Sequence, residues 1–222
     1  MSTHGARTGR AKHVFFAVFG LLTLFVLYYY EVPLLDSDSP GRQRIAKVMW
    51  LMLPHGIAGA LALFLGLPQF SDRLRRRSPR LHRVLGRVYV LGVAVCAPTA
   101  IPIAVILGPP SLVMAATIQS AGWFLTTAIG LYCARSGDIR QHREWMIRSY
   151  PFAMVFVVAR VILAVPAVAA MGEVAVVSVV WSLVAAACFA PSLVISWDTL
   201  FRRSAAKVPA PRVKTNRAAA VG

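Results

Sequence analysis

Six apolar runs, most of them about as long as a bilayer is thick, leave this chain few ways to fold. They lie at about residues 14–30, 46–68, 84–107, 112–134, 146–171 and 174–200. Roughly 20 such residues carry a helix across ~30 Å of hydrocarbon. Backbone in lipid must satisfy its own polar groups, so only helices and closed barrels cross it. Barrel strands alternate in polarity over about ten residues, whereas these runs are continuously apolar. With 58% hydrophobic and 14% charged residues, the chain also lies outside the composition of soluble domains and of disordered chains. The pattern predicts an all-α, polytopic bundle of six transmembrane helices, with spans two to five as a four-helix core.

The distribution of charge sets the expected orientation. The net charge is +16, from 24 Lys and Arg against eight Asp and Glu. Arg7, Arg10 and Lys12 precede span one; the segments Arg73 to Arg87, Arg135 to Arg148 and Arg202 to Arg217 fall on the same side of the membrane. Only Arg42, Arg44 and Lys47 fall opposite, beside Glu31, Asp36 and Asp38. This is the positive-inside pattern, and it predicts an inner-membrane protein with both termini cytoplasmic. Anionic lipid headgroups account for the basic surface, so nucleic acid is not an expected partner. The first run is long for the apolar region of a signal peptide, ends in Tyr28-Tyr29-Tyr30 and lacks a small-residue cleavage site. It reads as an uncleaved span.

The remainder is punctuation. Residues 1–13 and 202–222 are polar stretches with no core to bury, expected to be disordered on either side of a single membrane domain at 14–201. Val32 to Gly41, Gly108-Pro109-Pro110-Ser111 and Met171-Gly172-Glu173 read as outer turns. Pro54, Pro98, Pro102, Pro166 and Pro191 fall inside spans, where kinks are expected. Cys96, Cys133 and Cys188 lack the close spacing of a metal or redox motif and read as packing residues. Gly56, Gly59 and Gly86 offer small faces for close helix packing. No Walker loop, nucleophile elbow or His-Glu-x-x-His is present, and no catalytic residue is assigned.

One block occurs twice. Leu81-His82-Arg83-Val84-Leu85-Gly86-Arg87-Val88-Tyr89 is echoed by Gln141-His142-Arg143-Glu144-Trp145-Met146-Ile147-Arg148-Ser149-Tyr150. Ser78-Pro79 before the first and Gly137-Asp138 before the second are helix-start signals. They place His82 and His142 at the same position after their caps. Two helical hairpins, spans two with three and four with five, would then close a bundle with spans three and five diagonal.

Two constellations follow. His82 and His142, on facing helices, are candidate axial ligands for a haem b iron, with Arg83, Arg87, Arg143 and Arg148 placed for its propionates. The other reading is ordinary positive-inside composition contacting lipid phosphate. His55, Gln119 and Arg160 form the second, a buried polar site. With span five drawn to 171, Arg160 lies deep, and no acidic residue lies inside any span to neutralise it. Such a site is either a structural network or a pocket for an anionic or carbonyl-bearing ligand such as a quinone.

His55-Gly56, Leu65-Gly66-Leu67-Pro68-Gln69-Phe70, the two His-Arg blocks with Gly137-Asp138-Ile139, and Arg160 together resemble a family of bacterial predicted membrane proteins, catalogued as a domain of unknown function. The likeness covers about residues 48 to 165 and implies a multi-span inner-membrane protein. The outline is also similar to the transmembrane cytochromes b, which hold two haems between paired histidines. Here His82 and His142 make one pair, His55 stands alone, and Gln119 occupies span four where a fourth histidine would be needed. Two functions are carried forward. One is a haem-b electron-transfer protein with a quinone or similar ligand near His55 and Arg160. The other is a cofactor-free protein binding anionic lipid, a partner or a small anion.

Overall fold

A computed structural model describes residues 3–206 of the chain, with side chains from 14 to 197. Among these no strand occurs. Helix α1 (Thr3–Val26) continues through a π turn (Leu27–Glu31) and a 3-10 turn (Val32–Leu35). Helix α2 (Pro40–Ile45) leads through a 3-10 turn into α3 (Met49–Gly66); α4 (Asp72–Arg77) is short. The long helices α5 (Pro79–Leu107), α6 (Pro110–Arg135) and α7 (Ile139–Leu163) follow, then α8 (Pro166–Ala169) and α9 (Glu173–Ala206). Six segments are long and apolar enough to cross a membrane: Val14–Leu35, Pro40–Phe70, Pro79–Leu107, Pro110–Arg135, Ile139–Leu163 and Glu173–Trp197. The molecule is a polytopic helical membrane protein.

Helix α1 starts at Thr3, well before the apolar run, and α9 continues to Ala206. Ala6, Arg7, Arg10, Ala11 and Lys12 are good helix formers, so helix extends into the stretch read as a disordered tail. Residues 207–222 of the C-terminal tail lie outside the described residues.

The two block-bearing helices begin where their cap residues place them. The Ser78 carbonyl accepts from the His82 N–H at 3.0 Å, and the Asp138 carbonyl from the His142 N–H at 2.9 Å. The Asp138 side chain also caps Gln141 N–H at 3.0 Å, whereas the Ser78 hydroxyl makes no cap bond. Gly137, at φ 84°, supplies the left-handed residue that closes α6 before the chain reverses.

Span five is shorter than its apolar run. Proline disfavours helical geometry in the residue before it, and Val165, preceding Pro166, is extended (ψ 122°). Helix α7 therefore ends at Leu163 rather than near 171. Pro166 opens α8 instead of kinking a span, while Pro151, which the sequence reading passed over, lies inside α7.

Helices α3, α5, α6 and α7 pack in sequence around a ring, α3 on α5, α5 on α6 and α6 on α7, and α7 returns to α3. Helix α9 lies outside against α7 and α6, and α1 outside against α7. Small residues set the close approaches. A Cβ on Gly92 would lie 2.8 Å from the Ala58 carbonyl oxygen and 3.3 Å from the Ala62 methyl; one on Gly59 would meet Cys96 Sγ at 3.2 Å. Gly122 and Gly130 of α6 likewise receive Phe152 and Met146 of α7. Gly56 faces open space and Gly86 meets only Gln69, so neither serves this packing. An aromatic run of Phe16 on Phe70 (5.6 Å), Phe70 on Tyr150 (5.3 Å) and Tyr150 beside Tyr89 (6.4 Å) docks α1 onto the ring.

Candidate functional site

The tyrosines of the repeated block meet at the centre of the bundle. Tyr89 Oη and Ser149 Oγ are 2.7 Å apart, Ser149 Oγ and Thr127 Oγ1 2.7 Å, and Trp123 Nε1 lies 3.0 Å from Tyr89 Oη. Thr127 donates to the Trp123 carbonyl at 2.7 Å. Indole N–H only donates and a carbonyl only accepts, so every direction is fixed. Trp123 N–H gives to Tyr89, Tyr89 to Ser149, Ser149 to Thr127, and Thr127 to the carbonyl of Trp123. The loop closes on the residue where it began, and all four side chains are buried. Tyr150 hydroxyl donates to the Leu63 carbonyl at 2.9 Å. That carbonyl lies in the last turn of α3, where helix carbonyls lack intrahelical donors.

At the basic end of the bundle, His82 lies near Arg75 and His142. His142 Nδ1–H donates to the Gly130 carbonyl at 2.8 Å. His82 Nδ1 and Gln69 Nε2 are buried with no hydrogen-bond partner, and Gly86, one turn beyond His82, makes room for the Gln69 amide. The four arginines assigned to this site divide. Arg143 faces Asp72 at 3.9 Å and Arg148 faces Glu144 at 3.8 Å, while Arg83 and Arg87 are exposed. Asp72 also pairs with Arg75. Among the described residues, no three His, Cys, Asp or Glu side chains converge on a point suited to a metal ion.

At the opposite end, His55 and Gln119 share a cavity of about 280 Å³. Its other walls are apolar: Ala100, Ile103, Ala104 and Leu107 of α5, Leu112 and Ala116 of α6, and Val180 of α9, with Gly108 between α5 and α6. His55 Nδ1 lies 3.0 Å from the Cys96 carbonyl and 3.1 Å from Thr99 Oγ1. Gln119 Nε2 donates to the Phe152 carbonyl at 3.1 Å.

Arg160 does not line this cavity. With α7 ending at Leu163, Arg160 stands in its last turn, not in the middle of a span. Nor is it without an acidic neighbour. Glu31 Oε1 lies 4.0 Å from Arg160 Nη2, and the guanidinium sits 5.0 Å from the Tyr30 ring centroid and 5.2 Å from that of Phe156. The π turn Leu27–Glu31 carries helix past the Tyr28-Tyr29-Tyr30 belt and brings Glu31 to it. Cation–π contacts and a helix C-terminus both favour a cation here. The expected trio of His55, Gln119 and Arg160 is therefore a pair and a separate ion pair.

Two helical hairpins around a ring, with the His-Arg blocks at one end, can be set against known families. A family model described as "Predicted membrane protein (DUF2306)" matches residues 52–199. The chain belongs to the DUF2306 family. No curated protein and no solved structure gives a significant match. The DUF2306 segment opens within α3 and closes within α9, so it holds both histidine blocks, the cavity-lining residues and the ring except the first three residues of α3. Glu31 and Tyr30 precede it, so Arg160 finds two of its neighbours outside the DUF2306 segment and the third, Phe156, within it.

The sequence reading missed Tyr89, Ser149, Thr127 and Trp123 as a unit. The signal lies in the block itself, which ends each time in tyrosine. Thr99 and Cys96 carry no signal of their own, since one turn of an apolar helix looks like any other until His55 is placed beside it.

Proposed function

We propose that this protein binds a lipid-soluble compound with a single polar ring, of the quinone and quinol class, in the cavity shared by His55 and Gln119. The observation that carries the reading is the cavity's chemistry: apolar walls with two polar side chains, a usual composition for small-ligand pockets. Its volume, about 280 Å³, lies at the small end for such pockets and suits one ring, not a whole lipid. An apolar tail would pass between helices into the bilayer. In the inner-membrane orientation expected from the charge distribution, the cavity lies in the outer half of the membrane, with both termini cytoplasmic. Basic residues at the other end, Arg83 and Arg87 among them, face anionic headgroups.

A photoreactive azidoquinone, added in oxidised and in reduced form to the protein in lipid nanodiscs, tests this. Adducts on the peptides carrying residues 100–108 and 112–119, lost in Ala116→Phe, are the expected result. Labelling confined to the lipid-facing surface would refute it.

A second reading, haem b held by His82 and His142, has one observation in its favour. The Nδ1–H of His142 donates to a backbone carbonyl, which leaves Nε2 for a metal, an arrangement common for ligating imidazoles. Against it, Arg143 and Arg148, assigned to propionates, already face carboxylates, and the core beyond is filled by Tyr89 and Tyr150. Reduced-minus-oxidised spectra of protein purified from haem-replete cells decide it. Sharp b-type bands lost in His142→Ala would establish the haem; a colourless preparation would dismiss it.

A further inference from the structure

The hydrogen bonds already made inside the cavity restrict what its ligand presents. Cys96 carbonyl oxygen, 3.0 Å from His55 Nδ1, can only accept, so Nδ1 carries the proton. Thr99 Oγ1, 3.1 Å away, spends its own proton on the Val95 carbonyl at 2.7 Å and so also accepts from that N–H. The donor side of the ring is occupied twice over. In the neutral ring Nε2 is then an acceptor. Cys96 Sγ, 3.6 Å from Nδ1 and 3.7 Å from Nε2, is shared between the two nitrogens, and a thiol is a weak donor that a hydroxyl outcompetes at Nε2. Gln119 has committed one N–H to the Phe152 carbonyl and keeps its carbonyl oxygen and one N–H. Arg160, which would attract an anion, is held elsewhere by Glu31.

Building on the cavity reading above, we infer that the ligand bound here is a neutral hydroxyl-bearing ring, the reduced quinol type, whose O–H donates to His55 Nε2. A benzoquinone, which has only acceptors, meets an acceptor at His55 and gains one bond at most, from Gln119. An anion meets no cation. Thr99 and the Cys96 carbonyl act as positioning groups: they fix which nitrogen holds the proton, as partners on the far nitrogen do for metal-bound histidines.

Titration of full-length protein in phosphatidylethanolamine–phosphatidylglycerol nanodiscs, under argon, tests this with three probes. They are methylhydroquinone, methylbenzoquinone and the dimethyl ether of methylhydroquinone, which keeps the ring and loses both donors. The hydroquinone should bind about tenfold more tightly than either of the others, the size of one hydrogen bond gained against one buried acceptor left bare. His55→Phe should bring the hydroquinone down to the level of its ether. Thr99→Val, which keeps the imidazole, should shift the nitrogen-15 resonances of His55 toward a mixture of tautomers and weaken hydroquinone binding alone. Quinone binding as tight as hydroquinone binding, or tighter, overturns the assignment and leaves the cavity reading standing. Binding of none of the three overturns both.

Discussion

Tyr89 and Ser149, sixty positions apart in the chain and on helices that face each other across the ring, share a 2.7 Å hydrogen bond at the centre of the bundle. Tyr89 closes the first copy of the repeated block, and Ser149 stands just before the Tyr150 that closes the second. The bond therefore ties the two hairpins together across the ring, and Trp123 and Thr127 of α6 complete the loop around it. A closed loop of buried donors and acceptors fails as a unit, because each member's loss strands two others.

Tyr89→Phe leaves the indole N–H of Trp123 without an acceptor and the Ser149 hydroxyl without a donor. The cost should be about 1–3 kcal/mol. Ser149→Ala should cost a similar amount, and the double variant much less than the two together. Thermal unfolding in detergent followed by tryptophan fluorescence measures all three. Additive losses would show that the loop does not act as one.

Glycine substitutions should separate by neighbour, not by position in the bilayer. A Cβ on Gly66 overlaps the Tyr150 ring, and one on Gly92 lies 2.8 Å from backbone oxygen, which cannot swing away. Overpacking of this kind costs ~1–3 kcal/mol, so Gly66→Ala and Gly92→Ala should unfold earlier. Gly56→Ala enters open space and should be neutral or slightly stabilising, since alanine is the better helix former.

Glu31 and Arg160 are each about one-third to two-fifths exposed, so their attraction is partly screened, and the rings of Tyr30 and Phe156 supply the rest. Removing either charge leaves the other at the membrane edge unpaired. Glu31→Gln should lower the unfolding midpoint by about 2–4 °C, and Arg160→Gln by more, because the ring contacts go as well. Combining the two should do less than their sum.

Orientation can be read with a membrane-impermeant maleimide. In a variant with Cys96, Cys133 and Cys188 replaced by alanine, Ser37→Cys should label from outside intact cells. Ser136→Cys, in the turn between α6 and α7, should label only after the membrane is opened.

The fold was legible because hydropathy and length leave so little choice, and the cap residues Ser78 and Asp138 even placed the starts of α5 and α7. The site was legible in part. His55 and Gln119 share a cavity because both stand at comparable depth from the outer ends of their own spans, a count the sequence permits. Arg160 was misplaced for two local reasons. Counting apolar residues ran span five through Pro166, which in fact stops the helix at Leu163. And Glu31 follows the end of an apolar run, where hydropathy does not reveal that a π turn carries the helix past the tyrosine belt. Pairing between distant spans is a property of packing, and one sequence does not display it.

The ion pair at the membrane edge also has a meaning in time. Glu31 is synthesised and delivered with the first helix, long before the ribosome reaches Arg160. Until the fifth helix emerges, that carboxylate lacks Arg160, and span one has only early contacts such as Phe16 on Phe70 to hold it beside the ring. The first helix therefore gains its last anchor only when the fifth is in place. A chain shortened before Arg160 would lack that anchor, which makes the assembly of this bundle a process that is finished from its far end.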